Sequence, residues 1–503
     1  MNSLFVLINE EFTLNNNTLV YIGRLLVLVS VSFYVATFAH AMPDSLSKDG
    51  IVEKVVQAYG GEKLAELNSL SVHDRYKVFS MDQGENPAVN SITRLYSTLT
   101  VDFKTGEKSV KSWRVDSNGH RLSEILYDGQ TSWRINHLRG THVEDPVLKP
   151  SVVGAGMMKM IDTVMAQRLA AHRDSVELVS HNVFAGKSTY TLSFMAEKSE
   201  PYFIDVDAIS GFILRMSKSL SRTTGTVYHY GKHKRVEGLA FATDMNMLVK
   251  GKPRFITLSR RIEVNTTNQQ SFLIPKKSIK LKGFIDSSKM IVNKLADKVY
   301  LAGKGSNFSI FVDTGHYFIG AGGLPGITNR LAALNEYLGT NYALKKQVIP
   351  DHHRGHLGAL KELQQMGTSI IIAPTHREII NSQLVSNEGV EISPVDNKLI
   401  LADGMVEVYN IHTTHAQQYL LFYVPSAKLV FSADHFGTNL IEDLPGANNT
   451  VATFYSEIER LGLQVQYYAH AHGPRILSHT DLENVVAGYQ ITPCPTNENI
   501  CAD

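Results

Sequence analysis

Histidine and aspartate residues recur in this sequence at points where a predicted strand meets a loop. The densest group lies in the segment PDHHRGHLGAL, directly before a predicted helix. Imidazole and carboxylate groups are the protein ligands of zinc and related ions. Any one histidine is by default a surface or core residue, but the same chemistry at several strand junctions predicts a metal site. The candidate ligands are Asp351, His353, His356, His415, Asp434 and His472.

No other catalytic residue and no organic-cofactor site is indicated. The sequence contains no G-x-S-x-G, G-x-x-x-x-G-K-[ST] or H-E-x-x-H motif. The glycines of GAGG, residues 320–323, follow a predicted strand without the G-x-G-x-x-G spacing, and they predict a turn.

The elements expected to position the candidate ligands occupy residues 291–490. Apolar runs such as KLVFSAD and QYLLFYV alternate there with four predicted helices, over Ile327–Leu338, Leu357–Met366, Val451–Leu461 and Leu482–Tyr489. Strands that alternate with helices indicate a layered arrangement, in which ligands collect where strands end.

With these junctions, residues 291–490 resemble the metallo-β-lactamase superfamily, whose members have an αββα sandwich and binuclear metal centres. The resemblance is carried by HLGA after the histidine-rich segment and by His415, ten residues before Pro425. It is also carried by Asp434 at the end of KLVFSAD and by HGP at His472.

The resemblance implies two half-sites for metal ions. One would consist of Asp351, His353 and His415, and the other of His356, Asp434 and His472. Three protein ligands with one open position are typical of catalytic zinc, so one or two zinc ions are expected.

Three positions depart from the superfamily pattern. Asp351 stands where the first histidine is expected, Gly355 where an aspartate is expected, and Gly320 where an aspartate ends the strand YFI. An additional carboxylate makes a site harder and more anionic, which favours manganese or iron beside zinc. Four further imidazoles could support or replace ligands: His352, His412, His435 and His470.

The function implied by the resemblance is that of a metal-dependent hydrolase. Metal-bound water would attack an ester, lactone, amide or phosphoester of a small-molecule substrate, which could be apolar. The superfamily hosts many reactions, so β-lactams are not favoured over other substrates. The alternative is a binding or sensor protein that has lost turnover and carries an apolar or lipid ligand in its first domain.

The first domain, residues 45–275, reads mostly as antiparallel strands after one helix that ends at Gly60–Gly61. Hairpins are predicted at Asp128–Gly129 and near Ser210–Gly211. The stretches AYGGEKLAELNSLSV, YDGQTSW and YFIDVDAISGFILR resemble lipoprotein-carrier and LppX-like half-barrels. The expected fold class is therefore α+β, a β half-barrel followed by the αββα sandwich.

The net charge and the N-terminal segment restrict the possible partners and the location of the protein. The net charge of +1 over 503 residues gives no electrostatic case for nucleic acid or an anionic membrane surface. Arg24, the uncharged run LLVLVSVSFYVATFA and the motif AHA predict a signal peptide over residues 1–41. An uncleaved anchor is the less favoured alternative, because the apolar run is short for a spanning helix, which needs roughly 20 residues.

A cleaved signal would place the protein in the periplasm or outside the cell, with no stable membrane insertion. In an oxidising compartment, Cys494 and Cys501 of the tail, residues 491–503, are expected to form a disulfide. In the cytosol they would remain free thiols.

Overall fold

The computed structural model describes residues 46–116, 119–196, 200–221, 225–283, 288–384, 390–438, 441 and 444–489. The predicted signal peptide and the predicted Cys494–Cys501 bridge lie outside these residues. Within the described ranges, no helix combines the length and the apolar character needed to cross a membrane. The described residues of both predicted domains belong to one compact unit.

The first part of the chain forms one large sheet. Its strands are β1 Ser69–Ser80, β2 Ser91–Asp102, β3 Lys108–Asp116, β4 Gly119–Tyr127, β5 Ser132–Asn136, β6 Thr141–Glu144, β7 Glu177–Phe184, β8 Lys187–Phe194, β9 Tyr202–Asp207, β10 Ile213–Ser217, β11 Thr226–Val236, β12 Leu239–Val249, β13 Lys252–Val264 and β14 Ile279–Lys280. Their order is β14-β6-β5-β4-β3-β2-β1-β13-β12-β11-β10-β9-β8-β7. Neighbours are antiparallel except β14 and β6.

This arrangement agrees with the predicted antiparallel meander. Both predicted hairpins form, with Tyr127 opposite Ser132 and Val206 opposite Ile213. The last strand of the sheet lies beyond the predicted domain end at residue 275. The half-barrel shape and the likeness to lipoprotein carriers stay predictions.

Four helices accompany the first sheet: α1 Lys48–Tyr59, α2 Glu62–Ala65, α3 Ala155–Met158 and α4 Asp162–Ala171. The Ser47 side chain caps α1 by accepting a hydrogen bond from Gly50 N, and Gly60 ends the helix with φ 132°. Ile51, Val55 and the other apolar side chains of α1 join those of α4 and the sheet in one core. The α4 helix has no counterpart among the predicted elements.

The second part of the chain forms two more sheets. The second sheet contains, in spatial order, β15 Ile291–Ala296, β16 Val299–Lys304, β17 Asn307–Asp313, β18 Phe318–Ala321, β19 Leu344–Val348, β20 Ser369–Ile372 and β21 Ile392–Pro394. The third contains β22 Lys398–Leu401, β23 Val406–Ile411, β24 Tyr419–Val424, β25 Leu429–Phe431, β26 Tyr467–His470 and β27 Gly473–Ser478. The helices of this part are α5 Ile327–Leu338, α6 Leu360–Gln365, α7 Arg377–Gln383, α8 Asn449–Leu461 and α9 His479–Ala487.

Alternating side chains of the second sheet pack into different layers. Tyr300 and Ile370 point into the core shared with α5 and α6. Leu301 and Ile371 point into the core shared with the third sheet, α8 and α9. Because successive side chains of a strand face opposite ways, the two faces bury separate cores. The protein is thus α+β, with strands dominating.

The helix predictions differ from the structure mainly at the ends. The α5 helix has the predicted bounds. The α6 helix begins at Leu360 rather than Leu357, because residues 354–359 form turns. The α8 and α9 helices begin earlier than predicted because Asn448 and Ser478 cap them.

Candidate metal centre

Four loops of the second part carry the six predicted ligands. They connect β19 to α6, connect β23 to β24, follow β25, and join β26 to β27. The loop after β25 turns sharply at Ala433, whose φ of 42° lies in the left-handed region, and Asp434 follows directly. The fold therefore brings together side chains that are far apart in the sequence.

The inner cluster consists of Asp351, His353, His415 and Asp434. One donor atom from each residue lies within 4.8 Å of the donor atoms of the others. His415 Nε2 is 3.3 Å from Asp351 Oδ2 and 3.3 Å from Asp434 Oδ2. This cluster contains the predicted first half-site together with the carboxylate of Asp434.

The outer cluster consists of His356, Asp434 and His472, again with donor atoms within 4.8 Å of one another. Asp434 Oδ1 lies 2.6 Å from His472 Nε2 and 3.4 Å from His356 Nε2. The residues are those of the predicted second half-site. Asp434 therefore joins the clusters, with Oδ1 facing the outer and Oδ2 the inner.

The hydrogen bond that one ring nitrogen makes determines which nitrogen of that ring faces its cluster. His353 Nε2 lies 3.0 Å from Gly84 O, and His472 Nδ1 lies 2.9 Å from Ser306 O. A carbonyl only accepts, so those nitrogens carry the proton and donate it. His356 Nδ1 lies 3.0 Å from Asp351 Oδ1. The opposite nitrogen of each ring faces its cluster: His353 Nδ1 has no hydrogen bond, and the Nε2 atoms of His356 and His472 lie beside Asp434 Oδ1.

The electrostatics of the centre favour positive charge. Burial alone would raise the pKa of Asp351, but His356 and His353 hold that pKa well below its usual value. Burial would also raise the pKa of Asp434, which neighbouring imidazoles, led by His356, hold well below its usual value. Against the effect of burial, the two carboxylates raise the pKa of His415 to about 9. A centre that stabilises protonated rings in this way also suits a metal cation.

Three donor atoms of the inner cluster show how well these residues fit a metal ion. Asp351 Oδ2, His353 Nδ1 and His415 Nε2 are buried, and none of them makes a hydrogen bond. Leaving a buried polar atom unpaired costs about 1–3 kcal/mol, and more for a charged one. A single divalent cation within the cluster would satisfy all three. The donor set of imidazole and carboxylate suits zinc, manganese or iron.

The four further imidazoles belong to neither cluster. His435 Nε2 lies 2.8 Å from Thr413 Oγ1, and His470 Nε2 lies 2.8 Å from Thr438 O. His412 Nδ1 lies 3.0 Å from the carbonyl of Gln417. His352 is buried, with its ring 4.8 Å from that of His353. Three of these rings therefore hold ligand-bearing loops by hydrogen bonds, and none replaces a ligand.

The two glycine departures have different surroundings. At Gly320, a Cβ atom would lie 2.4 Å from Gln347 Oε1, so the side chain of Gln347 fills the space that an aspartate would need. At Gly355, a Cβ atom would meet only Leu324 Cδ2, at 3.8 Å. Position 355 therefore has room for a side chain, whereas a side chain at position 320 would require the Gln347 side chain to move.

The open space at Gly355 leads to a first prediction. We expect Gly355→Asp to raise the zinc affinity of the outer cluster at least about tenfold, because it would add a carboxylate next to His356. Competitive zinc titration would measure this change. Gly355→Asn is the control, because an asparagine side chain has nearly the size of aspartate but no charge. Equal affinities of the two variants would contradict the prediction.

No sequence pattern predicts the contact between Gly84 and His353. These residues are 269 positions apart, and the acceptor is a backbone carbonyl. Gly84 lies between β1 and β2 of the first sheet, in a segment without metal-binding side chain chemistry beyond Asp82 and Glu85.

Comparisons with known proteins extend this picture. No family model matches the chain, and no curated protein matches it. Among solved structures, DIM-1 metallo-β-lactamase is 14% identical, with a TM-score of 0.33 over 40% of this chain and 96% of that chain. A metallo-β-lactamase from Pontibacter korlensis is 17% identical, with a TM-score of 0.32 over 40% of this chain and 98% of its own.

A third structure, a metallo-β-lactamase from Hirschia baltica, is 12% identical, with a TM-score of 0.32 over 39% of this chain and 96% of its own. The chain thus has a partial similarity to the metallo-β-lactamase fold, in addition to its His/Asp clusters.

Proposed function

We propose that this protein is a metal-dependent hydrolase whose active site is formed by the inner and outer clusters. The observation that carries the proposal is the convergence on one point of buried donor atoms of Asp351, His353 and His415, none of which makes a hydrogen bond. Unpaired buried polar atoms are rare in folded proteins and call for a bound partner.

The inner cluster would bind its ion more tightly than the outer cluster. It offers four donors, and the side chain of Asp351 is 0% exposed. The outer cluster offers three donors, and the side chain of His472 is 45% exposed. More anionic ligands and less competition from water favour the inner position.

The gradient of exposure also indicates where a substrate would enter. Asp351 and His356 lie at the buried end, whereas Asp434 is 20% exposed and His472 lies at the surface. The substrate would therefore approach beside His472, and the reacting bond would lie near Asp434. Because one carboxylate oxygen of Asp434 faces each cluster, Asp434 would keep the distance between the two clusters constant.

A bound ion would supply Lewis acidity and would lower the pKa of a coordinated water molecule. The residues of this chain would fix the position of the ion through His353 Nδ1 and His415 Nε2. They would also exclude bulk water from the buried end of the site. The substrate class we propose is a small-molecule ester, lactone, amide or phosphoester, and export by the predicted signal remains part of the proposal.

Metal content and turnover test the proposal. Purified full-length protein should retain zinc, manganese or iron after dialysis and hydrolyse at least one of a phenyl ester, a lactone, an anilide and a phosphodiester. His415→Ala should lose metal and lower turnover by more than about tenfold, because it removes a donor of the inner cluster. His316→Ala is the matched control, since His316 is exposed and outside both clusters. Wild-type protein without metal above background would contradict the proposal.

A second candidate function is metal-dependent binding without turnover. It is favoured by Gly355, which leaves the outer cluster without the carboxylate that the superfamily pattern has at this position. Tight metal binding with no hydrolysis of any substrate in the panel would support it. Hydrolysis that disappears in His415→Ala would exclude it.

A further inference from the structure

The turn between β1 and β2, residues 81–90, extends from the first sheet to the metal centre. Besides the bond between Gly84 O and His353 Nε2, the carbonyl of Glu85 accepts a hydrogen bond of 2.8 Å from Gln417 N. Asn86 Nδ2 also lies 3.4 Å from Gln417 Oε1. The turn therefore touches both loops that carry the histidines of the inner cluster.

The contact with His353 determines how that ring can act. Gly84 is buried, and its carbonyl requires a proton on His353 Nε2. The remaining nitrogen, His353 Nδ1, is buried and has no hydrogen bond. A histidine that binds metal through one nitrogen needs such a partner on the other to fix its tautomer and orientation.

The turn has a compact shape that only glycine permits at position 84. Val89 N donates to Asn86 O at 3.1 Å, and Ala88 N donates to Asn86 Oδ1 at 3.0 Å. A Cβ atom on Gly84 would lie 1.9 Å from Val89 O. Any side chain at position 84 must therefore open the turn and displace the carbonyl from His353.

We propose that the β1–β2 turn is a positioning element of the metal centre, and that the first sheet thereby sets the metal affinity of the inner cluster. The Gly84 carbonyl holds His353 with Nδ1 facing the inner cluster, 3.9 Å from Asp351 Oδ1. The bonds from Glu85 and Asn86 hold the His415 loop at a constant distance from His353. This inference rests on the proposed metal site and adds a role for the first domain that does not require a ligand in it.

Gly84→Ala in the full-length protein tests the inference. We expect its zinc or cobalt affinity at the inner cluster to fall about 10- to 100-fold, the usual effect of losing an outer partner of a metal-bound histidine. The visible absorption spectrum of the cobalt form should change as well, because the His353 ring would turn. Binding at the outer cluster should stay the same. Gly156→Ala is the matched control, since a Cβ atom there meets nothing within 4 Å.

A milder variant covers the case in which Gly84→Ala does not fold. Asn86→Ala removes the bond to Ala88 N and the contact with Gln417, and it should lower inner-cluster affinity in the same direction by a smaller factor. Unchanged affinity and an unchanged cobalt spectrum in the folded variants would overturn the inference while leaving the proposed hydrolase intact.

Nitrogen NMR of histidine-labelled, metal-free protein gives an independent readout. The resonance of His353, assigned by its loss in His353→Gln, should show the proton on Nε2 in wild type and a mixture of tautomers in Gly84→Ala. A proton on Nδ1 of His353 in the wild-type protein would overturn the inference, whether or not the protein binds metal in other experiments. Failure of the wild type to bind metal would instead overturn the proposed function and this inference together.

Discussion

Replacing Asp434 with alanine should weaken metal binding at both clusters and abolish tight binding at the outer cluster. Asp434 is the residue that the two clusters share. Its Oδ1 lies 2.6 Å from His472 Nε2, and its Oδ2 lies 3.3 Å from His415 Nε2. Without it, the outer cluster would consist of two histidines. We expect the affinity loss to exceed the roughly 10- to 100-fold that removal of an outer partner causes.

Metal analysis and competitive titration of Asp434→Ala would measure this loss, and turnover should fall with it. Asp297→Ala is the control, because the Asp297 side chain is 85% exposed and lies outside both clusters. His472→Ala gives a graded comparison, since it should weaken only the outer cluster. Equal losses in His472→Ala and Asp434→Ala would show that Asp434 does not join the two sites.

The largest expected effect on stability concerns a buried ion pair in the first sheet. Arg260 of β13 stands directly opposite Asp74 of β1. Arg260 Nε and Nη2 bind the two oxygens of Asp74 at 2.7 and 2.9 Å. The two side chains are 0% and 1% exposed. Arg260 Nη1 also donates to the carbonyls of Met160 and Ala242, at 3.0 and 3.1 Å.

Arg260→Leu should lower the free energy of unfolding by about 3–5 kcal/mol, because it leaves the buried carboxylate of Asp74 without its positively charged partner and with only the Tyr76 hydroxyl donating to it. Equilibrium unfolding in urea, followed by circular dichroism, would measure the change. The control is Arg261→Leu in the same strand. The Arg261 side chain is 66% exposed and pairs with Glu263, so its loss should cost no more than about 1 kcal/mol.

The double variant Asp74→Leu with Arg260→Met tests whether the stability lost in Arg260→Leu comes from the unpaired carboxylate. Replacing both partners of a buried ion pair with apolar residues often leaves stability unchanged, whereas removing only one partner lowers it. The double variant should therefore be more stable than Arg260→Leu alone. If Arg260→Leu and Arg261→Leu unfold at the same urea concentration, the unpaired carboxylate of Asp74 does not destabilise the protein.

Much of the secondary structure could be predicted because its causes are local. The α5 helix follows from the spacing of its apolar residues and ends at Gly339 in the left-handed conformation. The hairpin after Tyr127 follows from Asp128–Gly129. In contrast, the α4 helix lacks a side-chain cap, and its buried face includes Asp162 and Thr163. The polar residues of this buried face are stabilised by tertiary contacts such as the 2.7 Å hydrogen bond from the Tyr59 hydroxyl to Asp162, which local patterns do not reveal.

The sequence by itself determined the chemistry of the candidate centre: six imidazole and carboxylate side chains, each near the end of a strand. The resemblance implies the division into two half-sites, but only the tertiary structure decided that Asp434 also belongs to the inner cluster and that His353 offers Nδ1 rather than Nε2. The physical reason is that the free nitrogen of an imidazole depends on what the other nitrogen binds. For His353 that partner is a carbonyl 269 residues away, on a turn of another sheet.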